Sequence, residues 1–190
     1  MVPYVEYRSQ RVSTLHLEIN PDSEFRIAVD EFGQLRYPPL GVNPDLIGFV
    51  LLELVANSLR AHRERGVNEA VRVSFTAEED GLSVVVVDSG RGFDPSLLPY
   101  RLEEPVANID LMGEAFAEYR ERNGGSRFGM GIYSVKKIFP RFALKFVDRE
   151  GNPCPWYSGM VRGTRIELGI PYVEGEPVAA MDEAATLEEL

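Results

Sequence analysis

Four short stretches carry residue types that can do chemistry. Glu53, Asn57 and Arg60 stand at i, i+4 and i+7, which places them on one face if the stretch is helical. A carboxylate, a carboxamide and a guanidinium so aligned can serve as a general base, a metal ligand and a phosphate contact. The plainer alternative is the solvated stripe of an amphipathic helix. Asp88-Ser89-Gly90-Arg91-Gly92-Phe93 follows an apolar run. An aspartate leaving a buried strand there puts a carboxylate on a pocket floor, where it can accept a hydrogen bond from an exocyclic amine such as that of adenine. Gly90 and Gly92 let the backbone bend and approach a ligand closely, although Asp and Gly are also ordinary turn residues. Gly124-Gly125-Ser126-Arg127-Phe128-Gly129-Met130-Gly131 runs straight into a helical pattern. Exposed N–H groups and a helix dipole there attract phosphate, and Arg127 adds a charge; a lid hinge is the other use of such glycines. Last, Gly163-Thr164 opens a strand pattern, where the hydroxyl can meet a phosphate or the Asp88 carboxylate.

These residues need elements to hold them. Leu46 to Arg65 is predicted as a helix, with Leu46, Phe49, Val50, Leu54 and Leu59 as its apolar side, Asn43 as N-cap, Pro44 in the first turn and Gly66 as terminator. Residues 12–19 alternate and read as a strand; residues 24–29 read as a second strand that turns at Asp30–Gly33. Residues 70–77 and 82–88 read as a hairpin, the second strand apolar and β-branched enough to be central. The stretch 89–128 is rich in glycine, proline and charge, with a helix expected within 108–122, and a connection this long suits a functional lid. Residues 131–139 read as a short helix stopped by Pro140, and 142–149 and 164–170 as strands. The order suits an α+β fold, a two-layer α/β sandwich with helices on one face of a mixed sheet.

The chain has 190 residues, a 44% hydrophobic and 26% charged composition, and a formal net charge of -10. That is enough chain for one domain with a real core, and too acidic for a protein that binds a phosphate backbone directly. The single cysteine, Cys154, cannot pair internally, so a reducing, cytoplasmic setting is the simplest inference. The N-terminus lacks an apolar signal-type core, and no apolar run is long enough to span a bilayer. From about Val173 the tail is acidic and alanine-rich and is expected to be disordered.

The four stretches in this order resemble the boxes of the GHKL superfamily, whose members include histidine-kinase catalytic domains, anti-sigma serine kinases, mitochondrial dehydrogenase kinases, gyrase-type topoisomerases and heat-shock chaperones. ELVANSLRA resembles the N box, VVDSGRGF the first glycine box, SRFGMGIYSVKK the second and GTRIEL the last. The resemblance covers roughly residues 46–170 and implies the Bergerat fold with ATP and Mg²⁺ as cofactors. It implies that Asn57 ligates Mg²⁺, Glu53 acts as general base, and Asp88 reads the adenine amine. Gly90 and Gly92 would shape the adenine side, and Gly129 and Gly131 would face the phosphates. Arg60, Arg127 and Lys136 become candidate phosphate contacts, and Thr164 supports the Asp88 end. The expected division is a lead-in over 1–45, an ATP-binding domain over 46–172 with a lid at about 93–128, and an acidic tail over 173–190.

The departures shape the functional expectation. Self-sufficient histidine kinases carry an acceptor histidine on a preceding helical segment. Here His16 falls in a strand pattern and His62 at the end of the N-box helix, so both are expected to be structural or surface residues. The expected activity is therefore an ATP-dependent phosphotransferase, a signalling kinase that modifies a protein partner in trans. An ATP-gated, anti-sigma-like binder with little turnover is the alternative, and a slow ATPase a third. A homodimer is compatible with either, and neither needs nucleic acid.

Overall fold

The computed structural model describes residues 3–22, 25–122 and 130–173. Two sheets and a helical layer share one core. A small sheet, in the order β2-β1-β4, is built from β1 (Val5–Tyr7), β2 (Gln10–Val12) and β4 (Leu35–Arg36). The main sheet has five strands in the order β3-β5-β6-β8-β7: β3 (Thr14–Ile19), β5 (Val71–Ala77), β6 (Gly81–Val87), β8 (Gly163–Pro171) and β7 (Arg141–Val147). The two-layer architecture is the expected one. Within it the expectation of a mixed sheet needs refinement, because every ladder among the described residues is antiparallel. Alternating residues explain the sheet's two faces. Val71, Val73 and Phe75, Leu82, Val84 and Val86, and Ile166, Leu168 and Ile170 are buried under the helices. The intervening Arg72, Ser74, Ser83, Arg165 and Glu167 lie on the other face.

Four helices occur among the described residues: α1 (Phe25–Gly33), α2 (Pro44–Arg65), α3 (Glu114–Arg122) and α4 (Met130–Ile138). α2 has the expected ends. The Asn43 side chain accepts from the Asp45 N–H at 2.9 Å, and Gly66 closes the helix at φ +62°. Its core face is shifted from the expected one. Val50, Leu54 and Leu59 are buried with Ile47, Leu51 and Val55, but Leu46 and Phe49 are exposed.

The strand expected over 24–29 is corrected to helix α1. Phe25, Ile27 and Val29 alternate in sequence, yet all three are exposed, and the helix anchors itself through Ala28 and Phe32 instead. Burial at i and i+4 outweighs an alternation that no sheet neighbour uses. The expected lid helix is shorter than 108–122. A 3-10 turn at Val106–Asn108 comes first, and α3 begins only at Glu114. Tyr100, Ile109 and Phe116 form a second, separate apolar cluster, which Leu98, Leu111 and Tyr133 flank. The tail beyond Val173 and the lid segment 123–128 lie outside the described residues. No helix among the described residues is long and apolar enough to cross a membrane.

Candidate functional site

A cavity of about 320 Å³ opens between α2, the end of β6, the start of β8 and the lid. Its walls are mainly apolar, from Leu54, Ala61, Leu98, Ile132, Leu144 and Ile166, and Asp88 supplies a carboxylate on the floor. Asn57, Ser58, Arg60, Glu64, Arg65 and Thr164 add polar groups to the lining, and an apolar cavity of that volume with a few polar groups suits a flat heteroaromatic ligand. Asp88 reaches the floor because β6 delivers it one residue beyond Val87, and it is buried there. Its Oδ1 accepts from the Gly90 N–H at 2.7 Å and the Thr164 N–H at 3.4 Å. Its Oδ2 accepts from the Ser58 hydroxyl at 3.3 Å and from the Thr164 hydroxyl. The carboxylate is thus aimed and its burial compensated. Both hydroxyls can rotate, so either can yield its place to an incoming N–H donor.

The glycines are required by contact. A Cβ on Gly90 would stand 2.7 Å from the Ala61 Cβ, so the loop lies flat on the last turns of α2. Gly92 adopts φ +66°, and a Cβ there would meet the Phe146 ring at 2.7 Å. Any side chain at Gly163 would collide with the Asp88 carbonyl oxygen, which lets β8 start directly against the loop. Phe93 then packs edge-on against Phe146, with ring centroids 5.5 Å apart, and roots the lid.

The other end of the site joins α2 to α4. Gly131, buried in the first turn of α4, packs against Asn57 and Glu53: a Cβ on it would lie 3.2 Å from Asn57 Nδ2 and 3.8 Å from Glu53 Oε2. The acid, the carboxamide and a helix N-terminus are therefore together, and the dipole of a helix N-terminus favours an anion. The Arg60 guanidinium donates to Asn57 Oδ1. A magnesium ion uses few protein ligands and keeps several waters, so a single carboxamide oxygen fits it, provided the guanidinium turns away.

One candidate falls elsewhere. The expectation that Lys136 contacts phosphate is not what the structure places there. Its Nζ donates to the backbone carbonyls of Leu102 at 2.7 Å and Glu104 at 2.6 Å, and it faces the Tyr100 and Phe142 rings. Partial burial pushes its pKa down, with Glu103 and Glu104 opposing. It ties the lid to α4, because a helix residue that far from the first turn points along the lid rather than at the cavity. Arg127 and Gly129 lie outside the described residues.

Sequence reasoning missed Ser58, while His62, expected to be a structural or surface residue, is wholly buried. Ser58 is a buried hydroxyl on the core side of α2; a small polar residue beside Asn57 was its only signal. A second, more open groove of about 600 Å³ lies beyond Leu144, between Pro95–Glu103 of the lid and the Pro153–Trp156 loop. Among the described residues no cluster of His, Cys, Asp or Glu has the makings of a metal site.

A family model described as histidine kinase-, DNA gyrase B- and HSP90-like ATPase matches residues 42–174. A search of curated proteins finds no match to the chain.

Proposed function

The chain belongs to the histidine kinase-, DNA gyrase B- and HSP90-like ATPase family, and from that premise we propose that it is an ATP- and magnesium-binding kinase module that phosphorylates a protein partner in trans. The observation that carries this is the convergence of Glu53 and Asn57 on Gly131 at the start of α4, with Asn57 and Asp88 lining the same cavity. Asp88 accepts from the adenine amine, and the Leu54, Ile132 and Ile166 side chains sandwich the base. The first turn of α4 offers N–H groups to the phosphates. Asn57 would hold a magnesium ion, whose chemistry would be to neutralise charge on the phosphate oxygens. Glu53 receives the proton of the acceptor hydroxyl or imidazole as the acceptor oxygen or nitrogen bonds to the terminal phosphorus, the bond from that phosphorus to the bridging oxygen breaks, and ADP leaves. Phosphoryl transfer is mostly positioning and charge neutralisation, so the module needs little else once the acceptor docks.

Calorimetric titration of the full chain with ATP and Mg²⁺ tests the pocket. Wild type is expected to bind, and Asp88→Asn to lose roughly ten-fold or more in affinity. Labelled ATP in lysate then tests transfer. Glu53→Ala is expected to bind ATP and fail to transfer; transfer at the wild-type rate would remove the base assignment.

A second reading is favoured by the lid. Lys136 fastens two lid carbonyls to α4, and the lid has its own apolar cluster against Tyr133. Nucleotide that reorders this segment would make the lid face an ATP-gated grip for a partner, with little turnover. Lid proteolysis that is the same with ATP, with ADP and without nucleotide would count against it.

A further inference from the structure

We propose that His62 is a positioning residue for the nucleotide loop: its imidazole, locked as one neutral tautomer, holds the Ser89 amide and with it the turn that shapes the adenine end of the cavity. This rests on the nucleotide-binding function proposed above.

His62 sits in the last turn of α2 and is wholly buried. Its Nδ1 lies 2.9 Å from the Glu69 carbonyl oxygen, which can only accept, so Nδ1 carries the proton. Its Nε2 lies 2.8 Å from the Ser89 backbone nitrogen, whose N–H can only donate, so Nε2 presents its lone pair. Both ring nitrogens are thus used, and both partners are backbone. The Ser89 hydroxyl in turn donates to the Glu69 carboxylate. One ring therefore joins the end of α2, the connection after it and the loop that follows β6. Ser89 stands between Asp88 and Gly90. The ring's Cδ2 would be 3.4 Å from a Cβ on Gly90, so the imidazole lies directly beneath the turn.

A buried histidine in a core can be filler. Here the ring spans two elements and receives the one backbone N–H adjacent to the adenine-reading carboxylate.

The test combines two readouts on the full chain. The first is amide exchange at Ser89 by NMR without nucleotide, corrected for intrinsic rates. The second is ATP affinity. His62→Leu is expected to speed Ser89 exchange and weaken ATP binding, each by roughly ten-fold, while its circular dichroism stays that of wild type. His62→Gln keeps an acceptor near the Nε2 position, so it is expected to restore both slow Ser89 exchange and ATP affinity. Unchanged Ser89 exchange in the Leu variant, or a Gln variant that restores neither readout, overturns the proposal; if the Leu variant does not fold, Ser89 exchange in the Gln variant decides. Should wild type bind no ATP, the proposed function falls, and the exchange comparison still decides whether His62 holds the loop.

Discussion

At the scale of single residues, the site is organised by Asp88, which four donors from three chain segments converge upon. Removing one donor leaves a buried carboxylate under-satisfied. Thr164→Val is expected to cost about 1–3 kcal/mol of folding stability, read from urea unfolding, and to weaken ATP binding in parallel. Gly163→Ala acts differently. Its methyl meets backbone rather than a movable side chain, so a cost of about 1–3 kcal/mol or more is expected, with the β8 start displaced from Asp88. Much of this was legible in the amino-acid sequence. Asp88, Gly90, Gly92 and Thr164 are each ordinary at turns and strand ends, and could be picked out because the four stretches follow one another in the order of a known family. The Lys136 contact with lid carbonyls was not legible, since helical spacing says which face a lysine occupies but not which of several acceptors will fold onto that face.

At the scale of elements, α2 was readable because its ends are marked by chemistry: an Asn cap, a Pro in the first turn and a left-handed Gly. α1 was not. Its alternating Phe25, Ile27 and Val29 imitate a strand, and only the tertiary partners of Ala28 and Phe32 decide for helix. The lid behaves as a unit of its own. Its rings Tyr100 and Phe116 stack at 5.8 Å, apart from the main core. Phe116→Ala is therefore expected to expose the lid to protease at the 95–122 region while near-native sheet and helix signals persist, because the deleted ring, worth about 3–5 kcal/mol in a core, supports the lid alone. On the open face of the sheet, Glu167 of β8 accepts from Arg165 and from Lys145 of β7, both at 2.7 Å. The Arg165 and Lys145 hydrogen bonds hold its carboxyl below the ordinary 4.5. A lowered carboxyl stabilises the folded state above its unfolded value, and that contribution is lost as pH falls through the folded one. Glu167→Gln is thus expected to lower stability modestly in the neutral range, where the wild-type contribution is fully present, and to shallow the acid limb of a thermal-stability profile below about pH 4.5.

At the scale of the whole molecule, one apolar cluster runs from Val5 through α1, α2 and α4 to the main sheet, and a second, smaller one lies in the lid. Two clusters of unequal size imply two tiers of opening. Native-state hydrogen exchange is expected to show α3 and the 95–108 turns opening well below the free energy of global unfolding, and β5, β6 and β8 only with it. The overall acidity had pointed away from nucleic acid before any fold was known. What it could not convey was where the charge gathers, because the basic residues Arg72, Arg165 and Lys145 share the exposed sheet face only through the register of β5, β6, β8 and β7.

The groove beside the lid has a practical corollary. Trp156 is the chain's one tryptophan, and it lies partly exposed where that groove meets Arg101, Leu102 and Glu103 of the lid. The protein consequently carries its own optical label at the seam that must shift if the lid moves. Emission colour and iodide quenching, recorded on unmodified protein during a stopped-flow mix with nucleotide, would report that seam alone, with no second indole to dilute the signal.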